Sequence, residues 1–241
     1  MAIYTSKTRI DLEDVGYSNK ITNKAILKIL ENAGARQSET IHFGLNDMEN
    51  VGFSWILLGW KVKILKRPIY NEELTINTWG RESNRIFTYR DYEIYDESGE
   101  LCTIATSKWA IVDINTGKLR ELTPEIIEKY QCETKKVFEE NYTLKLKEPV
   151  TIIRKQEYKA QRRDIDINKH IHNLYYLDYA YEALPEEVYE APECNNIEIM
   201  YKKQIRLNDE FKCLYTKEEN QNIVTMKSED ENTLHAIIKL Y

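Results

Sequence analysis

The 241-residue sequence is poor in the residues that punctuate or staple a chain, with 5 prolines, 8 glycines and 4 cysteines. Cys102, Cys132, Cys194 and Cys213 show no C-x-x-C spacing. They indicate neither a zinc ribbon nor a disulfide framework, and reduced thiols in a cytoplasmic protein are the expectation. No apolar run approaches the roughly 18–20 residues that span a bilayer, so membrane insertion is not expected. The opening MAIYTSKTRIDLEDVG lacks the apolar core of a signal peptide and the acid-poor, Arg/Ser-rich make-up of a transit peptide. No G-x-G-x-x-G, P-loop or metal-ligand spacing occurs, so no cofactor is called for. A net charge of −6 argues against a nucleic-acid partner.

What the chain does have is strand periodicity around two helix-like runs. SNKITNKAILKILENAG puts Ala25, Ile26, Ile29, Leu30 and Ala33 on one face, with Gly34 expected to end the helix. A polar connection, 37–50, leads to WILLGWKVKIL, where Ile56, Leu58, Trp60, Val62 and Ile64 alternate as on a strand. ELTINTW, RIFTYRDYEIYD and ELCTIATSKWAIVD follow as three more strands, the last two joined by an Asp96-Glu97-Ser98-Gly99 turn. The Tyr- and Phe-rich run is expected at the centre of the sheet. Residues 115–149 read as a linker with one short helix, capped by Thr123 with Pro124 at its first position.

The second half then repeats the first. WKVKILKRPIYNEELTINTW from Trp60 lies without a gap on IEIMYKKQIRLNDEFKCLYT from Ile197. At the same offset 84–88 meets 221–225, and after a shortened hairpin 101–105 meets 234–238. Asn19-Lys20 and Asn23 face Asn168-Lys169 and Asn173 in the helix region. The expected architecture is α+β: an N-terminal repeat over 1–114, the linker over 115–149 and a C-terminal repeat over 150–241. Each repeat is a helix buried against a curved antiparallel sheet, and two in one chain imitate a two-fold dimer, a pseudo-dimer. The chain does not need to dimerise to build a site, although a homodimer is left open.

The halves differ most in RRDIDINKHIHNLYYLDYAYEALP (162–185). Asp166, Asn168 and His170 stand at every second position, so on an extended segment all three project to one side. A carboxylate, an amide and an imidazole together suit activating a water and holding a carbonyl. The first half has only Ser18-Asn19-Lys20-Ile21 at the corresponding place, which implies one active site per chain. Unpaired backbone N–H groups at 171–174, where the helix begins, are candidate oxyanion donors. The approach over 145–163 is basic. Arg154, Lys155, Lys159, Arg162 and Arg163 are the expected docking residues for an acidic partner. His172 reads as a surface residue, and His42 and His235 carry no assigned role.

These residues resemble the acyl-ACP thioesterases, the double-hotdog family of plant plastids and many bacteria. The resemblance covers the WILLGWKVKILKRPIYNEELTINTW block, SKWAIVDINTGKLREL and, most specifically, the D-x-N-x-H segment with its following helix. It implies two tandem hotdog repeats, and a thiolester hydrolase that releases fatty acid from acyl carrier protein (ACP) in fatty acid metabolism. Asp166, Asn168 and His170 would take the family's catalytic positions. An acyl slot in the first repeat would draw on Ile26, Ile29, Leu30, Leu58 and Trp60. In the family a Glu on the strand after the helix usually adds a carboxylate, but here Tyr201-Lys202-Lys203-Gln204-Ile205 puts Gln204 in its place. A carboxamide orients water without being a base. Ile205 replaces the Cys of plant members, which removes a cysteine nucleophile. The departure at Gln204 keeps open an alternative, a hotdog protein that binds acyl-ACP or acyl-CoA without hydrolysing it.

Overall fold

The structure is a computed structural model describing residues 3–81, 84–139 and 145–241. It forms two compact units, one of Met1–Leu58 with Val62–Tyr142 and one of Gly59–Lys61 with Thr143–Tyr241. Residues 140–144 of the expected linker lie outside the described residues.

The first unit contains strand β1 (Tyr4–Arg9), helices α1 (Asn23–Thr40) and α2 (Met48–Val51), and strands β2 (Phe53–Ile64), β3 (Glu73–Gly80), β4 (Thr88–Tyr95), β5 (Leu101–Asp113) and β6 (Leu119–Arg120). Helix α3 (Pro124–Tyr130) closes it. The strands run in the order β1-β3-β4-β5-β2, with β6 on β5, so the Tyr-rich β4 is central as its composition suggested. Helix α1 packs against β3. Its Ile26, Leu27, Leu30 and Ala33 are almost fully buried, each large side chain contributing about 1.5–3 kcal/mol.

Gly34 does not end this helix. Six further residues follow it to Thr40, and a Cβ at Gly34 would sit 3.0 Å from the Tyr92 hydroxyl and 3.2 Å from Arg90 Cδ. Glycine is there to let the sheet approach, not to break the helix. Past Gly34 the inner face turns polar, where buried Gln37 accepts from Arg90, which also donates to Thr78 Oγ1 at 3.3 Å.

The expected linker is only partly a linker. Leu122, Ile126 and Tyr130 pack with Phe43, Phe53 and Ile111 in one apolar cluster, so residues up to Tyr130 belong to the first unit's core. Thr123 caps α3 by accepting from the Ile126 N–H at 3.4 Å. Asp96 Oδ1 accepts from Ser98 N at 2.9 Å and Glu100 N at 2.9 Å, closing the hairpin turn whose Gly99 has φ 81°.

The second unit holds β7 (Arg154–Lys159), α4 (Asn173–Glu182), α5 (Glu186–Tyr189), β8 (Asn196–Tyr201), β9 (Glu210–Glu218), β10 (Gln221–Ser228) and β11 (Leu234–Leu240). Its strand order, β7-β9-β10-β11-β8, matches that of the first unit element for element.

Backbone hydrogen bonds fix the correspondence. Ile10 N donates to Glu72 O at 3.0 Å, and Ala160 N to Asp209 O at 3.0 Å. Asn71 and Asn208, both left-handed at φ 71° and 69°, turn the chain at equivalent points. Each unit also has a register shift at one point of its hairpin, between Ile94 and Tyr95 and between Met226 and Lys227.

Two alignments move. Thr75 pairs with Tyr95 and Gln221 with Glu218, so strand β10 corresponds to β4, whereas 84–87 lie before β4 begins. The helix-entry alignment slips by one. Thr22 N donates to Asp14 O as His172 N does to Asp164 O, so Ser18 matches Asn168, Asn19 matches Lys169 and Lys20 matches His170.

Candidate active site

The helix-entry segment of the second unit is a closed loop, not an extended strand. Ile165 and Ile171 bridge across its base. Asp166 N donates to His170 O at 2.9 Å and Lys169 N to Asp166 O at 3.0 Å, with Lys169 left-handed at φ 64°. The alternation that suggested three side chains on one side is therefore replaced by a turn. Asp166 and His170 meet across its neck, with His170 Nδ1 3.7 Å from Asp166 Oδ1, while Asn168 sits exposed at the tip. Asp166 Oδ1 is held by the Asn168 N–H at 2.8 Å, an Asx-type turn that fixes the carboxylate.

The His170 ring is one-quarter exposed and the Asp166 side chain 11%. His170 Nδ1 faces two oxygens that only accept, Asp166 Oδ1 and Ile171 O at 3.4 Å. In the neutral ring Nδ1 then carries the proton, an assignment from its partners, and Nε2 keeps a lone pair.

Neighbouring groups lock the backbone. Ile171 N donates to Ile205 O at 2.8 Å, and His170 bridges Arg206. Ile205 N donates to the buried Tyr176 hydroxyl at 3.1 Å, and burial pushes that phenol up to about 12. Gln204 is exposed on the loop so held.

Three of the four expected oxyanion donors are spent. Ile171 N and His172 N bond carbonyls, and Leu174 N donates to His172 Nδ1 at 3.2 Å, which leaves Asn173. His172 is thus the helix cap, not a surface bystander.

Two buried groups escaped the sequence reading because nothing in their spacing marks them. His235 Nδ1 donates to Lys203 O at 2.8 Å, and its own carbonyl accepts from Lys202 N at 2.8 Å. It therefore clamps the residues just before Gln204. Burial lowers its pKa below the ordinary histidine range. Asp164 accepts from Gln161 N at 2.7 Å and Tyr179 Oη at 2.6 Å, tying the basic turn to α4.

The expected acyl-slot residues do not share one unit. Ile26, Ile29 and Leu30 are buried on α1 and Leu58 is half-buried, but Trp60 lies in the Gly59–Lys61 stretch that groups with the second unit.

The basic set also divides. Arg154 is turned inward to Leu184 O at 2.7 Å. Lys155 pairs with Glu231 at 2.8 Å and Lys159 with Glu210 at 3.3 Å. Arg162 and Arg163 stay exposed, lining with Lys159, Leu207 and Asn208 an open depression beside the turn. Among the described residues no helix is long and apolar enough to cross a membrane.

Comparison with known proteins assigns this architecture. Residues 1–130 match the acyl-ACP thioesterase N-terminal domain family and 147–239 the acyl-ACP thioesterase C-terminal domain family. The chain is 25% identical over 238 residues to oleoyl-acyl carrier protein thioesterase 2, chloroplastic, of Arabidopsis thaliana, covering 92% of this chain and 65% of that protein. It is 23% identical over 240 residues to the coriander (Coriandrum sativum) oleoyl-acyl carrier protein thioesterase, with 93% and 65% covered. It thus spans just under two thirds of the length of these plant relatives.

Among solved structures, an acyl-ACP thioesterase from Bacteroides thetaiotaomicron superposes with a TM-score of 0.85 at 23% identity, over 99% of this chain and 97% of the other. The 12:0-ACP thioesterase from Umbellularia californica gives 0.87 at 16% identity, over 100% and 96%. The fold is therefore two tandem hotdog repeats, and the chain belongs to the acyl-ACP thioesterase family.

Proposed function

We propose that this chain hydrolyses fatty acyl-ACP thioesters to free fatty acid and ACP, with Asp166, Asn168, His170 and Gln204 forming the site in the second unit. The observation that carries the reading is the Asp166–His170 pair, 3.7 Å apart on a turn whose counterpart in the first unit has Gly16 and Lys20. His170 Nε2 takes a proton from water as the water oxygen attacks the acyl carbon. Asp166 favours the imidazolium that forms. As the tetrahedral oxyanion collapses the C–S bond breaks, and the imidazolium returns its proton to the thiolate. Fatty acid and free thiol leave, and the ring is neutral again.

The Asn168 and Gln204 amides are the groups offered to the water and the carbonyl, with Asn173 N–H as a further donor. Because a thioester is already activated, positioning by two amides and one base suffices without a second carboxylate. The acyl chain is assigned to the apolar part of the first unit, against Ile26, Ile29, Leu30 and Leu58. The four cysteines are free thiols, which fits a cytoplasmic setting.

The test is thiol release from a panel of acyl-ACPs and matching acyl-CoAs, comparing wild type with His170→Ala, Asp166→Ala and Gln204→Glu. Hydrolysis that collapses in the first two variants supports the reading. A gain in Gln204→Glu would show that a carboxylate there adds to the rate. Wild type that binds acyl-ACP yet releases no thiol from any substrate would sink it.

A further inference from the structure

Gln204 is exposed, yet the peptide groups on either side of its Cα are held by buried side chains. The 203–204 peptide is held through its carbonyl, since His235 Nδ1 donates to Lys203 O at 2.8 Å. The 204–205 peptide is held through its N–H, which donates to Tyr176 Oη at 3.1 Å. His235 is 6% exposed and Tyr176 4%, so both bonds are shielded from bulk water. Peptide groups are planar, so fixing both planes fixes the φ and ψ of Gln204 and restricts the direction of its side chain.

A β-bulge aims the histidine. Met226 pairs with Ala236 and Lys227 with Leu234, which leaves His235 as the extra residue on β11. Its own carbonyl accepts from Lys202 N at 2.8 Å, so ring and backbone grip successive residues of one loop. The first unit has the same bulge without the ring's grip. Ile94 pairs with Thr103 and Tyr95 with Leu101, leaving Cys102 extra on β5, and Cys102 O accepts from Leu65 N at 2.7 Å. The Cys102 thiol turns back to Glu100 O of its own strand at 3.4 Å. Ile26 stands in the place of Tyr176, and Pro68, which has no N–H, in the place of Ile205. Arg67, the counterpart of Gln204, is tied down by its own side chain, to Ile21 O and Asn23 Oδ1. The side chain is thus the tether in the first unit, whereas in the second the backbone is tethered and the side chain is exposed.

We infer that His235 is a positioning residue for Gln204, holding its amide in the direction from which it meets the water or the thioester carbonyl. His235 touches no reacting atom and acts only through the 203–204 peptide. The inference rests on the hydrolysis reading for what Gln204 does, and on the geometry alone for the grip on its loop.

The experiment is a double-mutant cycle read by thiol release from acyl-ACP. His235→Leu keeps a side chain of moderate bulk and loses the donor. It is expected to lower kcat about tenfold while KM stays within about twofold. His235→Asn should restore kcat to within about threefold of wild type, because its amide nitrogen stands as far from Cβ as Nδ1 does and also donates. In a Gln204→Ala background His235→Leu should change kcat less than about twofold. Cys102→Ala, at the matching bulge of the first unit, should also stay within about twofold. Equal losses in both backgrounds, or in Cys102→Ala, overturn the inference, as does an unchanged kcat in His235→Leu. Amide hydrogen exchange is measured on the same proteins. Exchange at the Ile205 N–H should quicken about tenfold in His235→Leu while the amides of β9 keep their protection. Unchanged protection at Ile205 overturns the grip itself. If wild type releases no thiol the hydrolysis reading falls, and exchange at Ile205 still decides whether His235 holds the loop.

Discussion

The helix-entry turns of the two units share a backbone and differ in side chains. Val15 bridges Ile21 as Ile165 bridges Ile171, and Gly16 N bonds Lys20 O as Asp166 N bonds His170 O. Asn19 and Lys169 are both left-handed, at φ 59° and 64°. In the first unit Arg67 reaches back to close the space, donating to Ile21 O at 2.9 Å and Asn23 Oδ1 at 2.7 Å. Its counterpart Gln204 is exposed. A duplicated frame thus serves twice, once tied shut by an arginine and once carrying a carboxylate and an imidazole. The hydrogen-bonded frame fixes where the groups stand, and the side chains placed on it differ between the units.

Changes made in parallel at the two turns test this division. The largest expected effect is His170→Ala, which should lower kcat/KM for acyl-ACP by about 10²–10⁴-fold. Lys20→Ala should leave it within about twofold, since an exposed side chain is removed and the backbone turn remains. An equal loss in both would erase the distinction between the units. Stability should divide the other way. Arg67→Ala removes the hydrogen bonds to Ile21 O and Asn23 Oδ1 from a half-buried guanidinium and should cost about 2 kcal/mol in urea unfolding. Gln204→Ala, at an exposed site, should stay within about 0.5 kcal/mol.

Tyr176→Phe comes next. It removes the hydroxyl that accepts from the Ile205 N–H, at a cost of about 1.5 kcal/mol. Loosening that loop should also lower kcat more than it raises KM, because Gln204 is its neighbour. Unchanged kinetics with lowered stability would make Tyr176 a core residue and nothing more.

The smallest effect concerns His235. Burial depresses its pKa in the folded protein, so the unfolded chain binds the extra proton more readily. Its contribution is fully present above the unfolded value of about 6.5 and is lost as pH falls from there through the folded pKa. Melting temperature measured from pH 7 down to pH 5 should fall more steeply for wild type than for His235→Gln. Parallel curves would show that the ring does not titrate with unfolding.

Much of the molecule was legible in the chain. Thr123-Pro124 announced α3, Asp96 to Gly99 announced its hairpin, and the apolar spacing of Ile26, Ile29 and Leu30 announced the buried face of α1. These are local signals, set by dihedral preference and periodicity within one element. Asp166, His170 and the family pattern around them were legible because they lie within five residues of each other. The single-residue slip at the helix entry and the misplaced match of 84–88 came from reading composition where only pairing register decides. Side-chain alternation also misread the Asp166 turn, since a left-handed Lys169 is invisible to a two-residue period.

What the sequence by itself determined was the repeat, the helices with their caps, and the residues carrying a carboxylate and an imidazole. The tertiary structure alone decided that Gly34 is a close approach rather than a helix end, because Tyr92 and Arg90 come from a strand more than fifty residues away. It alone turned Arg154 inward, set His235 under Lys203, and gathered Arg162, Lys169, Lys202 and Arg206 around one turn. Each of these depends on contacts between segments distant in the chain, and such contacts are fixed by sheet register and packing, which no local pattern records.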